Sequence, residues 1–107
     1  MDSDQFLCVN TTLDSQVAAS AMAKNLVALG QAACVQVVGP IESVYRWQGK
    51  VERADEWLCI AKTDRAHFDA LKEVILKHHP YKEPEIIATE IVAGSESYLA
   101  WLSAQLA

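Results

Sequence analysis

Hydrophobic and polar positions along this chain alternate with a period of two in some stretches and of three to four in others. Residues 5–12 alternate and are rich in β-formers, which predicts a strand. Asp14 or Ser15 can cap a helix that runs to Leu29 and is stopped by Gly30. Ala18, Ala21, Met22, Leu26 and Leu29 give that helix one apolar face. Residues 33–38 form a nearly continuous apolar run, as in a strand covered on both faces. Gly39-Pro40 is expected to break it. Residues 41–48 alternate again, with Ser43, Tyr45 and Trp47 on one face and Val44 and Arg46 on the other, and Gly49-Lys50 reads as a hairpin turn. A polar stretch, 52–55, leads into a strand at 57–63, with Trp57, Cys59 and Ala61 on one face and Leu58, Ile60 and Lys62 on the other. Asp64 can cap a second helix whose apolar positions are Phe68, Leu71 and Ile75. Pro80 disfavours helical geometry at His79 and ends that helix. Residues 86–92 read as the last strand, and Gly94-Ser95 opens a terminal helix carrying Tyr98, Leu99, Trp101, Leu102 and Leu106.

Two β-α-β units in tandem predict an α+β fold of the split βαβ, or ferredoxin-like, type, with helices over one face of an antiparallel sheet. The hairpin at 41–56 and the terminal helix are additions to that plan. Tyr45, Trp47 and Trp57 are large aromatics for a ribbon that projects from a small sheet, and they suggest a partner surface. Long unpaired edge strands are a liability, so a homo-oligomer that closes them is expected.

A chain of 107 residues suits one domain, 1–107. With 51 % hydrophobic and 21 % charged residues it can build a packed core. Net charge is -5 and the nine Lys and Arg are scattered, which argues against a nucleic-acid partner. No apolar run approaches the ~20 residues that span a bilayer. The acidic start, Met1-Asp2-Ser3-Asp4, lacks a signal-peptide pattern, so a cytoplasmic location is expected. Cys8, Cys34 and Cys59 are odd in number, lack a CxxC spacing and sit in apolar runs. They read as core thiols rather than a disulfide framework or zinc knuckle.

Candidate chemistry concentrates in His78-His79-Pro80-Tyr81-Lys82-Glu83-Pro84-Glu85. Two imidazoles, a phenol and two carboxylates stand on a backbone stiffened by two prolines. Such a segment can build a site or simply a tight turn. The histidines lie at a helix C-terminus, where the dipole favours a protonated ring. His67, by contrast, reads as a solvated face residue. An enzyme is not expected. The chain has no Gly-rich phosphate loop, no serine elbow and no HExxH. Cys34 with His79 could form a nucleophile and base, but a reactive thiol needs an exposed, electropositive place, not an apolar run.

Ala32-Ala33-Cys34-Val35, Tyr45-Arg46-Trp47-Gln48-Gly49-Lys50-Val51-Glu52, Lys62-Thr63, His79-Pro80-Tyr81 with Pro84-Glu85, and Tyr98-Leu99-Ala100-Trp101 resemble, in order, the CutA family of divalent-cation tolerance proteins. The resemblance spans about nine tenths of the chain. It implies a PII-like trimer of ferredoxin-like subunits whose hairpins extend onto neighbours, and a role in tolerance to copper and other divalent metals. One departure is visible: the family often has an acidic residue after His-Pro-Tyr, where this chain has Lys82.

Copper and zinc favour imidazole and thiolate, with carboxylates adding charge. Cys34, His79 and Glu85 are accordingly the expected metal ligands, with His79 the histidine that faces outward. Lys62 is a candidate anion anchor in an intersubunit cleft, lined with Tyr81, Trp47 and Tyr45. Tyr45, Trp47, Trp57 and Trp101 are the expected trimer contacts. Three functions compete: weak binding of copper(II) or another divalent metal, sensing of a small anionic metabolite in the manner of PII proteins, and a stable scaffold for a protein partner.

Overall fold

The computed structural model describes residues 5–107. Strands β1 (Phe6–Leu13), β2 (Cys34–Trp47), β3 (Lys50–Asp64) and β4 (Ile87–Glu90) form one sheet in the order β2-β3-β1-β4. All three pairings are antiparallel. Helices α1 (Gln16–Ala28) and α2 (Arg65–His78) connect the strands, and α3 (Glu96–Gln105) follows β4. The architecture is the expected α+β, ferredoxin-like split βαβ sandwich with an extended hairpin and a C-terminal helix.

Each helix begins where its cap residue predicts. Ser15, Asp64 and Ser95 accept hydrogen bonds from the backbone N–H groups of Ala18, His67 and Tyr98. Helices α1 and α2 cover one face of the sheet. Leu7, Val9 and Leu13 of β1 and Cys59 and Ala61 of β3 meet Ala19, Met22 and Leu26 of α1 and Leu71 and Ile75 of α2. Burying each large aliphatic side chain there contributes about 1.5–3 kcal/mol. Ala19, not Ala21 or Leu29, completes the buried stripe of α1, and Leu29 is exposed. On the opposite face a smaller cluster joins Phe6 and Ala33 to Leu99 and Leu102 of α3.

Four local expectations are corrected. Gly39-Pro40 does not end a strand. The β2–β3 register slips between Val38 and Ile41 and then resumes to the tip, so the dipeptide is a bulge. Gly39 is required there because a Cβ would come within 2.3 Å of the Trp57 ring. The turn is Gln48-Gly49, with φ of 50° and 80°, the two-residue geometry that matches the twist of a hairpin. Residues 52–55 are strand, not connection, because they pair with 42–45. Strand β4 is shorter than 86–92.

Cys59 is core, and burial pushes its thiol up to about 11. Cys8 and Cys34 are not core. They flank Lys62 on the face that α1 and α2 leave uncovered, each one strand away from it in register. Their Cα atoms are therefore about 10 Å apart, beyond disulfide reach.

His67 also departs from expectation. Its ring is held by Asp64 Oδ1 at 2.7 Å and the Ala107 oxygen at 2.5 Å. The Ala107 hydrogen bond, then Asp64, raises its pKa above the ordinary 6.5. A raised folded-state value means the stabilisation is complete below the ordinary value and is lost as pH rises through the raised one. The urea midpoint should fall as pH rises past the ordinary value of 6.5, and His67→Gln should flatten that fall. An unchanged slope in the variant would remove His67 as the cause.

Candidate functional site

Beyond Ile41 and Glu56, strands β2 and β3 have no other strand neighbour among the described residues and form a two-stranded ribbon. The segment after α2 folds against the base of this ribbon. Helix α2 ends at His78, and the His79 N–H closes onto the Ile75 carbonyl at 2.8 Å. His79 is not the outward histidine: its ring is part-buried, whereas His78 is exposed. The Tyr81 backbone N–H donates to His79 Nδ1 at 3.1 Å, and His79 Nε2 lies 2.8 Å from the Thr12 carbonyl. An acceptor role at Nδ1 places the proton on Nε2, which donates to Thr12, so the ring is the neutral tautomer with both nitrogens engaged.

Tyr81 completes the link. Its hydroxyl donates to Glu56 Oε2 at 2.7 Å, and its ring lies 4.7 Å from that of His79. Burial first, then the Glu56 carboxylate, holds the Tyr81 phenol above the ordinary tyrosine range, so it remains a donor at physiological pH. One loop is thus stapled to β1 through Thr12 and to β3 through Glu56. Glu56 is only 8 % exposed, and Tyr81 is the one described residue that donates to it. Tyr81→Phe should cost about 1.5–3 kcal/mol, since it leaves a largely buried carboxylate without its donor. An unmoved denaturation midpoint would show that the staple carries no weight.

Ribbon and loop enclose a groove of about 840 Å³. The ribbon supplies Tyr45, Trp47 and Glu56, and the loop supplies Tyr81, Glu83 and Glu85. Glu42 also lines it but is paired with Arg53 at 2.7 Å. Lys82 is the one basic side chain in the lining. Acid thus exceeds base, the wrong sign for an anionic ligand.

The groove unites Tyr45, Trp47, Tyr81 and Glu85, with His79 behind them through Tyr81. Lys62 lies elsewhere. Its ammonium donates to Gln36 Oε1 at 2.8 Å and sits 6.0 Å from the Tyr98 ring centre. Cys34 is on the same rung as Lys62, whereas Thr12, which holds His79, is on the rung of Leu58. Four residues of β3 separate those rungs, about 13 Å. Within one chain Cys34 and His79 are therefore apart, and no three His, Cys, Asp or Glu side chains converge as a metal site among the described residues. Tyr45, Trp47 and Trp101 are each nearly half exposed. Trp57 packs partly against the chain's own core and over Gly39.

Glu56 was missed by the sequence reading. Its signal was its place as the last acid, after Asp55, before the apolar run 57–61. Among the described residues no helix is long and apolar enough to cross a membrane.

Comparison with known proteins accounts for the arrangement. Residues 7–105 match the family model for CutA1 divalent ion tolerance protein. The divalent-cation tolerance protein CutA of Thermus thermophilus is 44 % identical over 91 residues, which cover 85 % of this chain and 88 % of that one. The chloroplastic CutA of Arabidopsis thaliana is 41 % identical over 90 % of this chain but only 53 % of its own length. The crystal structure of CutA1 from Oryza sativa superimposes with a TM-score of 0.95 at 36 % identity, covering 100 % of this chain and 98 % of that one. The T. thermophilus structure gives 0.93 at 40 % identity, covering 95 % and 99 %. A structure from Archaeoglobus fulgidus is described as periplasmic, so the compartment varies among these relatives. The chain belongs to the CutA family of divalent-cation tolerance proteins.

Proposed function

We propose that this single-domain chain acts as a non-enzymatic, cytoplasmic homotrimer that binds copper(II) or another divalent cation and supports tolerance to it. The match over residues 7–105 to a family described by divalent ion tolerance carries the reading. The excess of carboxylates in the groove supports a cationic rather than an anionic ligand. Three free cysteines suit a reducing compartment.

A trimer is supported by what one chain leaves uncovered. Val38, Ile87, Tyr98 and Trp101 are exposed, and the ribbon carries Tyr45 and Trp47 into solvent. So many large apolar side chains left exposed call for a partner.

The donor types suit copper, but one chain does not assemble Cys34, His79 and Glu85. His79 would have to release Tyr81 or Thr12 to bind. Weak binding, or a site completed by a neighbouring subunit, follows from that geometry. Titration of reduced, metal-free protein with copper(II) against a competing chelator tests the proposal. A defined stoichiometry per subunit that His79→Ala abolishes supports it. Weak, unsaturable uptake overturns the metal assignment.

A further inference from the structure

His67 has an oxygen at each ring nitrogen. Nδ1 lies 2.7 Å from Asp64 Oδ1, and Nε2 lies 2.5 Å from the Ala107 oxygen. Asp64 Oδ1 also takes the His67 backbone N–H at 2.9 Å, so it acts as an acceptor, and the Ala107 oxygen can only accept. Both contacts are hydrogen bonds only when both ring nitrogens carry protons. A neutral imidazole has one N–H, and its lone pair would then face an oxygen. The other two histidines differ. His79 has one donor and one acceptor around its ring, and His78 contacts one acceptor, the Val74 carbonyl, so a neutral ring suffices for each.

The Ala107 contact holds the end of α3. Ala107 also donates its N–H to the Gly30 carbonyl at 2.9 Å, and a Cβ on Gly30 would come within 2.5 Å of the Ala107 Cβ. Leu106 packs on the cluster of Phe6, Ala33, Leu99 and Leu102. Residues 106 and 107 thus join α3 to the turn after α1 and, through His67, to the first turn of α2.

Loss of one proton decides between the two contacts. Asp64 is three residues away, within the helix cap, and presents a carboxylate, whereas Ala107 is forty residues away. A hydrogen bond to a carboxylate is the stronger kind, so the remaining proton stays on Nδ1 and the Nε2 proton goes to solvent. The Ala107 contact is the one that opens. Among the described residues Asp64 is the one charged group that acts on the ring. Residues 29–33 and 101–107 carry no charged side chain, and Arg65 is paired with Glu90.

We propose that His67 is a pH-operated latch on the end of α3: the doubly protonated ring fastens Ala107 to α2, and loss of the Nε2 proton releases it. The latch is independent of the proposed cation binding, and it gives the fall of stability with pH a location.

The experiment is NMR of the assembled, isotope-labelled, metal-free protein on both sides of the ordinary histidine value of 6.5. Long-range proton–nitrogen spectra should show both His67 ring nitrogens protonated on the acid side and Nε2 alone deprotonated on the alkaline side. In the same titration the hydrogen-exchange protection of the Ala107 amide should drop several-fold, while that of residues 7–13 stays constant. His67→Gln has no ring proton to lose, so its Ala107 protection should be flat with pH. Gly30→Ala drives a Cβ against Ala107 and opens the latch with His67 intact. By linkage the His67 titration midpoint should then fall back toward the ordinary value. Three results would each overturn the proposal: Ala107 protection that is flat with pH in the parent chain, an equally steep drop in His67→Gln, or a His67 midpoint that Gly30→Ala leaves unmoved.

Discussion

Phe6→Ala is expected to destabilise the fold by about 3–5 kcal/mol. The ring is fully buried at the start of β1, where it meets Ala33, Leu99 and Leu102. Leu99 and Leu102 are the two buried residues of α3, so Phe6 is a large part of what the helix rests on. Loss of the ring leaves a cavity under a ten-residue helix that is too short to persist in water alone. The backbone contact from the Ile91 N–H to the Phe6 carbonyl survives the change, so β4 should stay in register while α3 loosens. Denaturant unfolding at fixed protein concentration gives the magnitude, because dissociation of an oligomer would otherwise contribute. Hydrogen exchange gives the location: amides of 96–105 should lose protection before those of β1 and β3. Phe6→Leu, which keeps most of the volume, should cost much less. A uniform loss of protection across the sheet would contradict a local role.

Ile60→Glu is expected to convert the proposed trimer to monomers. Ile60 stands on β3 between Asn10 and Gln36, in the middle of the sheet face opposite α1 and α2. In an isolated chain that position is half-buried, and a carboxylate there can reach water. If the face is covered by other subunits, three unpaired carboxylates would be buried together, at several kcal/mol each. Light scattering reads the outcome as a drop from three chain masses to one, with the circular dichroism of the fold retained. A variant that remains trimeric would mean that subunits meet elsewhere, with the ribbon as the remaining candidate.

These two positions show where sequence is informative about such a protein. Period-two and period-3.6 patterns located β1, α1 and α2 because each has one buried face. They found the first rail of the ribbon, 41–48, and missed the second, 52–55, because no core lies beneath it. Residues 52–55 are polar on both faces and still extended, held by pairing alone. Gly39-Pro40 looked like a terminus because local chemistry says little about the partner strand. Strand β3 runs unbroken opposite it, and β2 absorbs the irregularity as a bulge.

The site was legible in part. Proline placement fixed the end of α2 and the stiffness of the loop that follows. That His79 turns inward to Thr12, and that Tyr81 reaches Glu56, depends on β1 and β3 lying side by side, which is a property of topology. The same holds for Cys34 and Lys62, whose rung lies away from the groove. The uncovered face explains why Cys8 and Cys34 mislead: apolar neighbours in sequence do not reveal which side of a sheet receives helices.

Strand β3 belongs to two bodies at once. Its inner half is the second strand of the sheet, and its outer half is one rail of the ribbon, with no interruption along its fifteen residues. Its companion β2 is interrupted by the bulge at the junction. The ribbon is therefore a cantilever with one continuous rail and one jointed rail, clamped at its root by the Tyr81–Glu56 hydrogen bond. A load applied at Trp47 is carried inward along β3 and concentrated at Glu56, the point where ribbon, loop and sheet meet.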